Sequence, residues 1–104
     1  MTASGDGGNG GLVIVDEPEG QRYVARLDDE LAGFIDYRRV RGRIIFLHTE
    51  VDPAFEGRGI GARLAARVLD DVRAKGLTFS NKCPFIAAYL QRHPQYRDLQ
   101  AERR

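Results

Sequence analysis

The spacing of apolar residues changes once along the chain, and the change divides it into two kinds of element. Before residue 52 the apolar positions come in short runs. Residues 12–15 are a β-branched stretch, residues 21–27 alternate around Tyr23, Ala25 and Leu27, and residues 31–40 carry Phe34, Ile35 and Tyr37. Residues 16–20 and 28–30, rich in Asp, Glu, Pro and Gly, punctuate these runs as turns. The clearest strand is Arg43–Val51. Simple alternation there puts Ile44, Phe46, His48 and Glu50 on one face, with Ile45, Leu47, Thr49 and Val51 on the other. Short links between four such strands predict an antiparallel meander.

After residue 59 the period becomes helical. Ile60, Leu64, Val68 and Val72 recur every four residues, joined by Ala65 and Leu69, while Arg63, Arg67, Asp70, Asp71 and Arg73 fall mostly outside that stripe. This is an amphipathic helix running to about residue 75, with Gly76 as its stop. Residues 77–80 form a brief fifth strand, Pro84 opens a second helix through about residue 92, and His93-Pro94 ends it. The order β-β-β-β-α-β-α predicts an α+β fold: a mixed sheet with one parallel pair across the long helix. A site is expected where that crossover helix begins.

Composition narrows the function. The chain has 104 residues, with 16 Lys and Arg against 15 Asp and Glu, so it lacks the positive field of a protein that binds nucleic acid through backbone charge. Arg38, Arg39, Arg41 and Arg43 around Gly42 read first as a solvated hairpin rim, and RNA binding there is the remote alternative. One cysteine, Cys83, permits no internal disulfide and too few thiolates for a structural zinc, so no metal is expected. No apolar run approaches the roughly 18–20 residues of a membrane span, and the first residues do not read as a signal peptide, which makes a cytoplasmic protein the expectation. Residues 1–11 hold five of the 12 glycines among small polar residues and are expected to be a disordered tail, leaving residues 12–104 as one domain.

The other glycine cluster, Glu56-Gly57-Arg58-Gly59-Ile60-Gly61, follows a strand and opens a helix. Such a loop lets backbone amides approach a ligand closely, and the helix dipole adds positive potential, so a phosphate or pyrophosphate is the natural guest. A tight turn with close helix packing is the structural alternative. Gly57, Gly59 and Ala62 formally satisfy a dinucleotide fingerprint, but the loop follows four strands and no acidic residue ends the next one; a Walker loop is absent.

The segment from Val51 to Leu64 resembles the acyl-CoA-binding signature of the GNAT superfamily of N-acetyltransferases, in which a strand ending in Val leads into [QR]-x-x-G-x-[GA]. Gly59 and Gly61 match, and Glu56 stands where that family has Gln or Arg. His48-Thr49-Glu50-Val51, Cys83-Pro84-Phe85, Tyr89, His93-Pro94 and Tyr96 are similar to a small single-domain branch with a Cys-Pro-Phe motif. The resemblance covers residues 12 to 99. It implies acetyl-CoA as cofactor, with the amides of Arg58, Gly59, Ile60, Gly61 and Ala62 on the pyrophosphate, beside Gly57. It also implies Val51 pairing through its backbone with the pantetheine arm, and Asn81 touching the cofactor.

Acetyl transfer to an amine needs a neutral amine, a polarised thioester carbonyl and a proton for the departing thiolate. Cys83, just before Pro84, sits where a helix dipole favours thiolate and is a candidate acyl acceptor or pocket wall; a small buried residue is the bland alternative. Glu50 and His48 could relay the amine proton or serve only as surface groups. Tyr89 matches the position of the superfamily's thiolate-protonating tyrosine. The expected function is therefore acetyl-CoA-dependent N-acetyl transfer, direct or assisted by Cys83, to an amine of a small molecule or a protein. The alternative is a non-catalytic acyl-CoA-binding or interaction module of the same fold.

Overall fold

The computed structural model describes residues 11–101. Its elements are β1 (Leu12–Glu17), β2 (Arg22–Leu27), β3 (Glu30–Val40), β4 (Arg43–Val51), α1 (Ile60–Ala74), β5 (Thr78–Asn81) and α2 (Pro84–Arg92), with short 3-10 turns at Pro53–Phe55 and Pro94–Leu99. The five strands lie in the order β1-β2-β3-β4-β5; the first four pair antiparallel and β5 pairs parallel to β4. This is the mixed α+β sheet that the change of period predicts. Residues 1–10 of the expected tail lie outside the described residues, and Gly11 already accepts a hydrogen bond from the Asp28 amide.

The predicted boundaries shift slightly, for local reasons. β1 runs on to Glu17 because its acidic end still pairs with β2: Asp16 stands opposite Tyr23 and Glu17 opposite Arg22. Asp16 also accepts from the Tyr37 hydroxyl. Gln21 falls outside β2, Glu30 joins β3 after a two-residue turn, and β5 spans Thr78–Asn81, one residue later than the sequence pattern places it. α1 ends as expected: the Gly76 amide donates to the Arg73 carbonyl and the Leu77 amide to the Val72 carbonyl. Those two bonds are the closing motif that a glycine just past a helix permits.

The stripe on α1 is buried in full, and Ile86 and Leu90 of α2 join it over Tyr23, Ile35, Phe46 and Phe79 in one apolar cluster. Tyrosines pin the helix to its surroundings by their hydroxyls. Tyr23 donates to Asp71 (2.8 Å), and Tyr96, from the turn after α2, donates to Asp70 (2.7 Å). The residues that follow the turn run beside β5, where Gln100 bridges to Phe79 and the Ala101 amide donates to the Phe79 carbonyl.

One expectation about β4 fails, with consequences for the site. Asp36 pairs with His48 but its neighbour Tyr37 pairs with Phe46, so Leu47 is an extra residue in the strand. Adjacent residues of β3 point to opposite faces, and Phe46 and His48 therefore do too. Ile44 and Phe46 face the helices, and beyond the bulge it is Thr49 and Val51 that do so, opposite Ile35 and Gly33. His48 and Glu50 turn to the other face of the sheet, where Val13, Val15, Leu31 and Leu47 are exposed.

Candidate functional site

The site begins where β4 loses one of its neighbours. β5 pairs with β4 from Arg43 only as far as Phe46, opposite Asn81, and the Lys82 amide makes a last bond to the Phe46 carbonyl (2.8 Å). From there β4 continues to Val51 with β3 alone, leaving its other edge without a strand. The chain then turns back over that edge. Asp52 caps the Pro53–Phe55 turn by accepting from the Ala54 amide (2.8 Å), and the loop from Glu56 to Gly59 leads into α1. Gly57 and Gly59 have φ of +84° and +76°, and a Cβ on either would meet nothing within 4 Å. Backbone conformation, not crowding, favours glycine at these two positions.

Gly61 is there for a different reason. A Cβ on it would lie 2.7 Å from Cζ of Phe85, so the first turn of α1 packs directly on the first turn of α2. Gly59 is the N-cap of α1 and offers no side chain to the helix amides, and the first turn carries no acidic residue. The opening N–H groups of a helix have no partner within it and carry its positive pole.

These parts enclose a cleft of about 580 Å³ between the free edge of β4, the glycine loop and α2. That volume falls in the range of small-molecule and cofactor sites. Of the sequence candidates, Val51, Gly57, Gly59, Ile60, Gly61, Ala62 and Tyr89 line it. The opposite wall comes from Phe85, Arg92 and His93 of α2 and its cap. Tyr89 stacks on the His93 ring, with centroids 4.0 Å apart. Burial, then the nearby Asp70 carboxylate, raise the Tyr89 hydroxyl above the usual phenol range, which keeps its proton in place at neutral pH.

The other candidates stand outside the cleft wall. Cys83 is the N-cap of α2 and is 1% exposed; its Sγ lies 3.2 Å from Thr49 Oγ1, which does line the cleft. Asn81 spends its side chain on the same residue: its Oδ1 accepts from the Cys83 amide and its Nδ2 donates to the Cys83 carbonyl, both at 3.0 Å. Arg58 is exposed, its guanidinium 5.9 Å from the Phe55 ring centre. His48 Nε2 donates to Glu50 Oε2 (3.0 Å) on the far face of β4, with the His48 ring 6.2 Å from that of Phe34.

Sequence reasoning passed over Thr49, Arg92 and the cleft role of Phe85 and His93. Phe85 and His93 stand in motifs that the resemblance had quoted. Thr49 also stands in a quoted motif, but which face of the sheet it takes is decided by the bulge at Leu47.

The comparisons with known proteins agree with this geometry. Residues 22–99 match the family model described as GCN5-related N-acetyl-transferase. The chain is 41% identical over 59 residues to the protein NATD1 of Mus musculus, and likewise to that of Gallus gallus; the match takes in 56% of this chain and 54% of each relative. It thus spans about half the length of the curated relatives that it matches. The fold is shared with a GCN5-like protein from Staphylococcus aureus solved by NMR, at TM-score 0.68 and 23% identity over 90% of this chain and 92% of that one. It is also shared with the PaiA N-acetyltransferase of Thermoplasma acidophilum, crystallised with coenzyme A, at TM-score 0.53 and 17% identity over 71% of this chain and 48% of that one. Among the described residues no helix is long and apolar enough to cross a membrane. On the family match, the chain belongs to the GCN5-related N-acetyltransferases.

Proposed function

We propose that this protein is a cytoplasmic acetyl-CoA-dependent N-acetyltransferase of the small single-domain branch with the Cys-Pro-Phe motif, and that residues 12–104 form its acyl-CoA-binding unit. The observation that carries this reading is the cleft itself: a free strand edge ending at Val51 leads directly to the uncapped N-terminus of α1. The residues present fit an acyl-CoA. The amides of the loop and the first turn of α1, Arg58 to Ala62, suit a diphosphate, and the edge of β4 at Val51 suits the amide-bearing pantetheine arm as an added strand would.

Bound acetyl-CoA supplies the thioester. Glu50, paired with His48, takes the proton of the acceptor's ammonium, which leaves a neutral amine. The amine nitrogen then bonds to the acyl carbon as the carbon–sulfur bond breaks, and Tyr89 gives its hydroxyl proton to the departing sulfur. Direct transfer is favoured over a Cys83 acyl-enzyme, since the thiol is buried and Thr49 stands between it and the cleft. Asn81 acts by fixing the Cys83 backbone at the start of α2.

A non-catalytic acyl-CoA-binding module is the second reading, and Glu56 favours it: its carboxylate lines the cleft beside the loop meant for a diphosphate. Calorimetry with acetyl-CoA, paired with thiol release across a panel of amines, tests both readings. Enzyme predicts binding by the wild type, binding lost in folded Gly59→Val, and thiol release that survives Cys83→Ala. Binding without thiol release by any amine leaves the module, and no binding by the wild type overturns both.

A further inference from the structure

Residues 38–43 hold four of the chain's 16 Lys and Arg, and all four are exposed at the tip of the β3–β4 hairpin. Cations elsewhere on the sheet and α1 have carboxylates: Arg22 has Asp36, Arg26 has Glu17, Arg67 has Asp71 and Lys75 has Asp16. Among the described residues Arg38, Arg39, Arg41 and Arg43 have none. The ribbon that carries them is held on both sides. The Arg39 amide donates to Gln21 Oε1 (3.0 Å), and the Gly42 carbonyl in the turn accepts from the Thr78 amide (3.2 Å). Arg38 pairs with Ile45 and Val40 with Arg43. All four turn away from the helices, since the alternate residues Tyr37, Ile44 and Phe46 belong to the core. The uncovered face therefore ends in a square with guanidiniums on one diagonal and aliphatic side chains on the other, where Val40 is 39% exposed. β4 begins at Arg43, so the square lies about 25 Å from Val51 along the strand.

We infer that this square docks an acidic segment of a protein partner, an extended stretch that sets carboxylates and aliphatic side chains alternately along one face. Residues two apart on such a stretch share a face at a spacing of about 6.8 Å, the spacing at which Arg38 and Val40 follow each other on β3. Unpaired guanidiniums take carboxylates through two parallel bonds, and a ribbon already held on both sides has little left to order. Val40 and Ile45 decide against a nucleic acid, whose phosphate backbone has nothing to set on them, and the square has no aromatic ring for a base to stack on. The balance of 16 basic against 15 acidic residues also supplies no wider field for one. The chain's own acidic turn, Asp28-Asp29-Glu30, sits at the opposite end of β3. Copies joined through it would run head to tail without closing, or lie face to face over Glu50, the base in the proposed reaction. A different protein avoids both, and at this end of β4 it leaves the cleft open to acetyl-CoA.

Fluorescence anisotropy of the full chain with a fluorescein-labelled Glu-Ser-Leu-Ser-Glu-Ser-Leu peptide tests this. Its Gln-for-Glu version, a labelled RNA duplex and phosphatidylserine vesicles are measured beside it at the same salt. The acidic peptide is expected to bind at least tenfold more tightly than the Gln version, and less tightly as salt is added. Arg38→Gln combined with Arg43→Gln should weaken it at least tenfold and Val40→Ser several-fold, with the circular dichroism of the wild type kept in both. Saturating acetyl-CoA should leave the peptide's affinity unchanged. No binding by the wild type, or binding indifferent to the arginine pair, overturns the inference, and competition by acetyl-CoA overturns it by placing the peptide in the cleft. Tighter binding of the RNA or of the vesicles overturns it in favour of a phosphate-bearing partner. Self-association of the wild type that Asp28→Asn with Asp29→Asn abolishes overturns it in favour of a second copy.

Discussion

Gly61→Ala tests whether the mouth of the cleft is built on direct helix–helix contact. The new Cβ would stand 2.7 Å from Cζ of Phe85 and 3.3 and 3.4 Å from its two Cε atoms. Overpacking of this kind costs about 1–3 kcal/mol. Phe85 is 39% exposed, so the ring can swing outward, which holds the cost to the lower half of that range. Against it stands the preference of helices for Ala over Gly, about 0.5–1 kcal/mol. The net expectation is a loss of about 0.5–1 kcal/mol, small enough that the single variant alone decides little.

The double-mutant cycle with Phe85→Leu decides it. A leucine has none of the three atoms that the Cβ would meet, so in that background only the helix preference remains and Gly61→Ala becomes neutral or stabilising. The sign reverses, and the coupling between the two sites should be about 1–2 kcal/mol. Urea unfolding followed by circular dichroism, with m unchanged among the four proteins, measures it. Equal destabilisation by Gly61→Ala in both backgrounds refutes the contact, and with it the view that Gly61 serves packing more than ligand approach.

Three further outcomes follow from the same geometry. Asn81→Ala removes both bonds that hold the Cys83 backbone and should cost about 1–3 kcal/mol in urea unfolding, with Asn81→Asp losing less because it keeps the acceptor for the Cys83 amide. Burial, then the bond to Asp70, push the Tyr96 hydroxyl from 10.0 up to about 12. The native state thus holds a proton that the unfolded chain releases; this contribution is whole below pH 10 and is lost as pH rises through about 12. Unfolding free energy measured from pH 9 to 12 should fall, less steeply in Tyr96→Phe, and a flat profile in both proteins would count against the buried phenol. Glu56→Gln removes a carboxylate from the cleft and should tighten acetyl-CoA binding by roughly 1 kcal/mol, about fivefold, at low salt, with the gain shrinking as salt is added.

The parts of this fold that the sequence discloses are those where one pattern has a single reading. The α1 stripe is such a case: six apolar residues at spacings of three and four fit no strand, and all six are buried. The glycine loop is another, since left-handed backbone at residues 57 and 59 favours glycine. In β4 the pattern is ambiguous at the point that matters. Ile44, Ile45, Phe46 and Leu47 are all apolar, and His48, Thr49 and Glu50 are all polar, so an extra residue anywhere among them leaves the sequence pattern unchanged. Pairing with β3 places the slip at Leu47, between the Tyr37–Phe46 and Asp36–His48 pairs, through contacts with another strand and not with chain neighbours. The turn over Pro94–Leu99 was hidden for a similar reason, because Tyr96 is buried by tertiary packing in the core, near the Tyr89 ring, with its hydroxyl donating to Asp70.

That single slipped residue also decides what kind of chemistry β4 can support. With plain alternation, His48, Glu50 and Phe46 would share the helix side, and carboxylate, imidazole and Cys83 thiol would crowd one wall behind the cleft. The bulge instead puts the thiol and Thr49 on the helix side, and the His48–Glu50 pair on the far side. In the proposed reaction an acyl group carried on Cys83, buried behind Thr49, would then have both that side chain and the strand between it and Glu50. In the proposed direct attack, a thioester beside Val51 has only the edge of β4 between it and Glu50, at the point where β5 has left the strand unpaired.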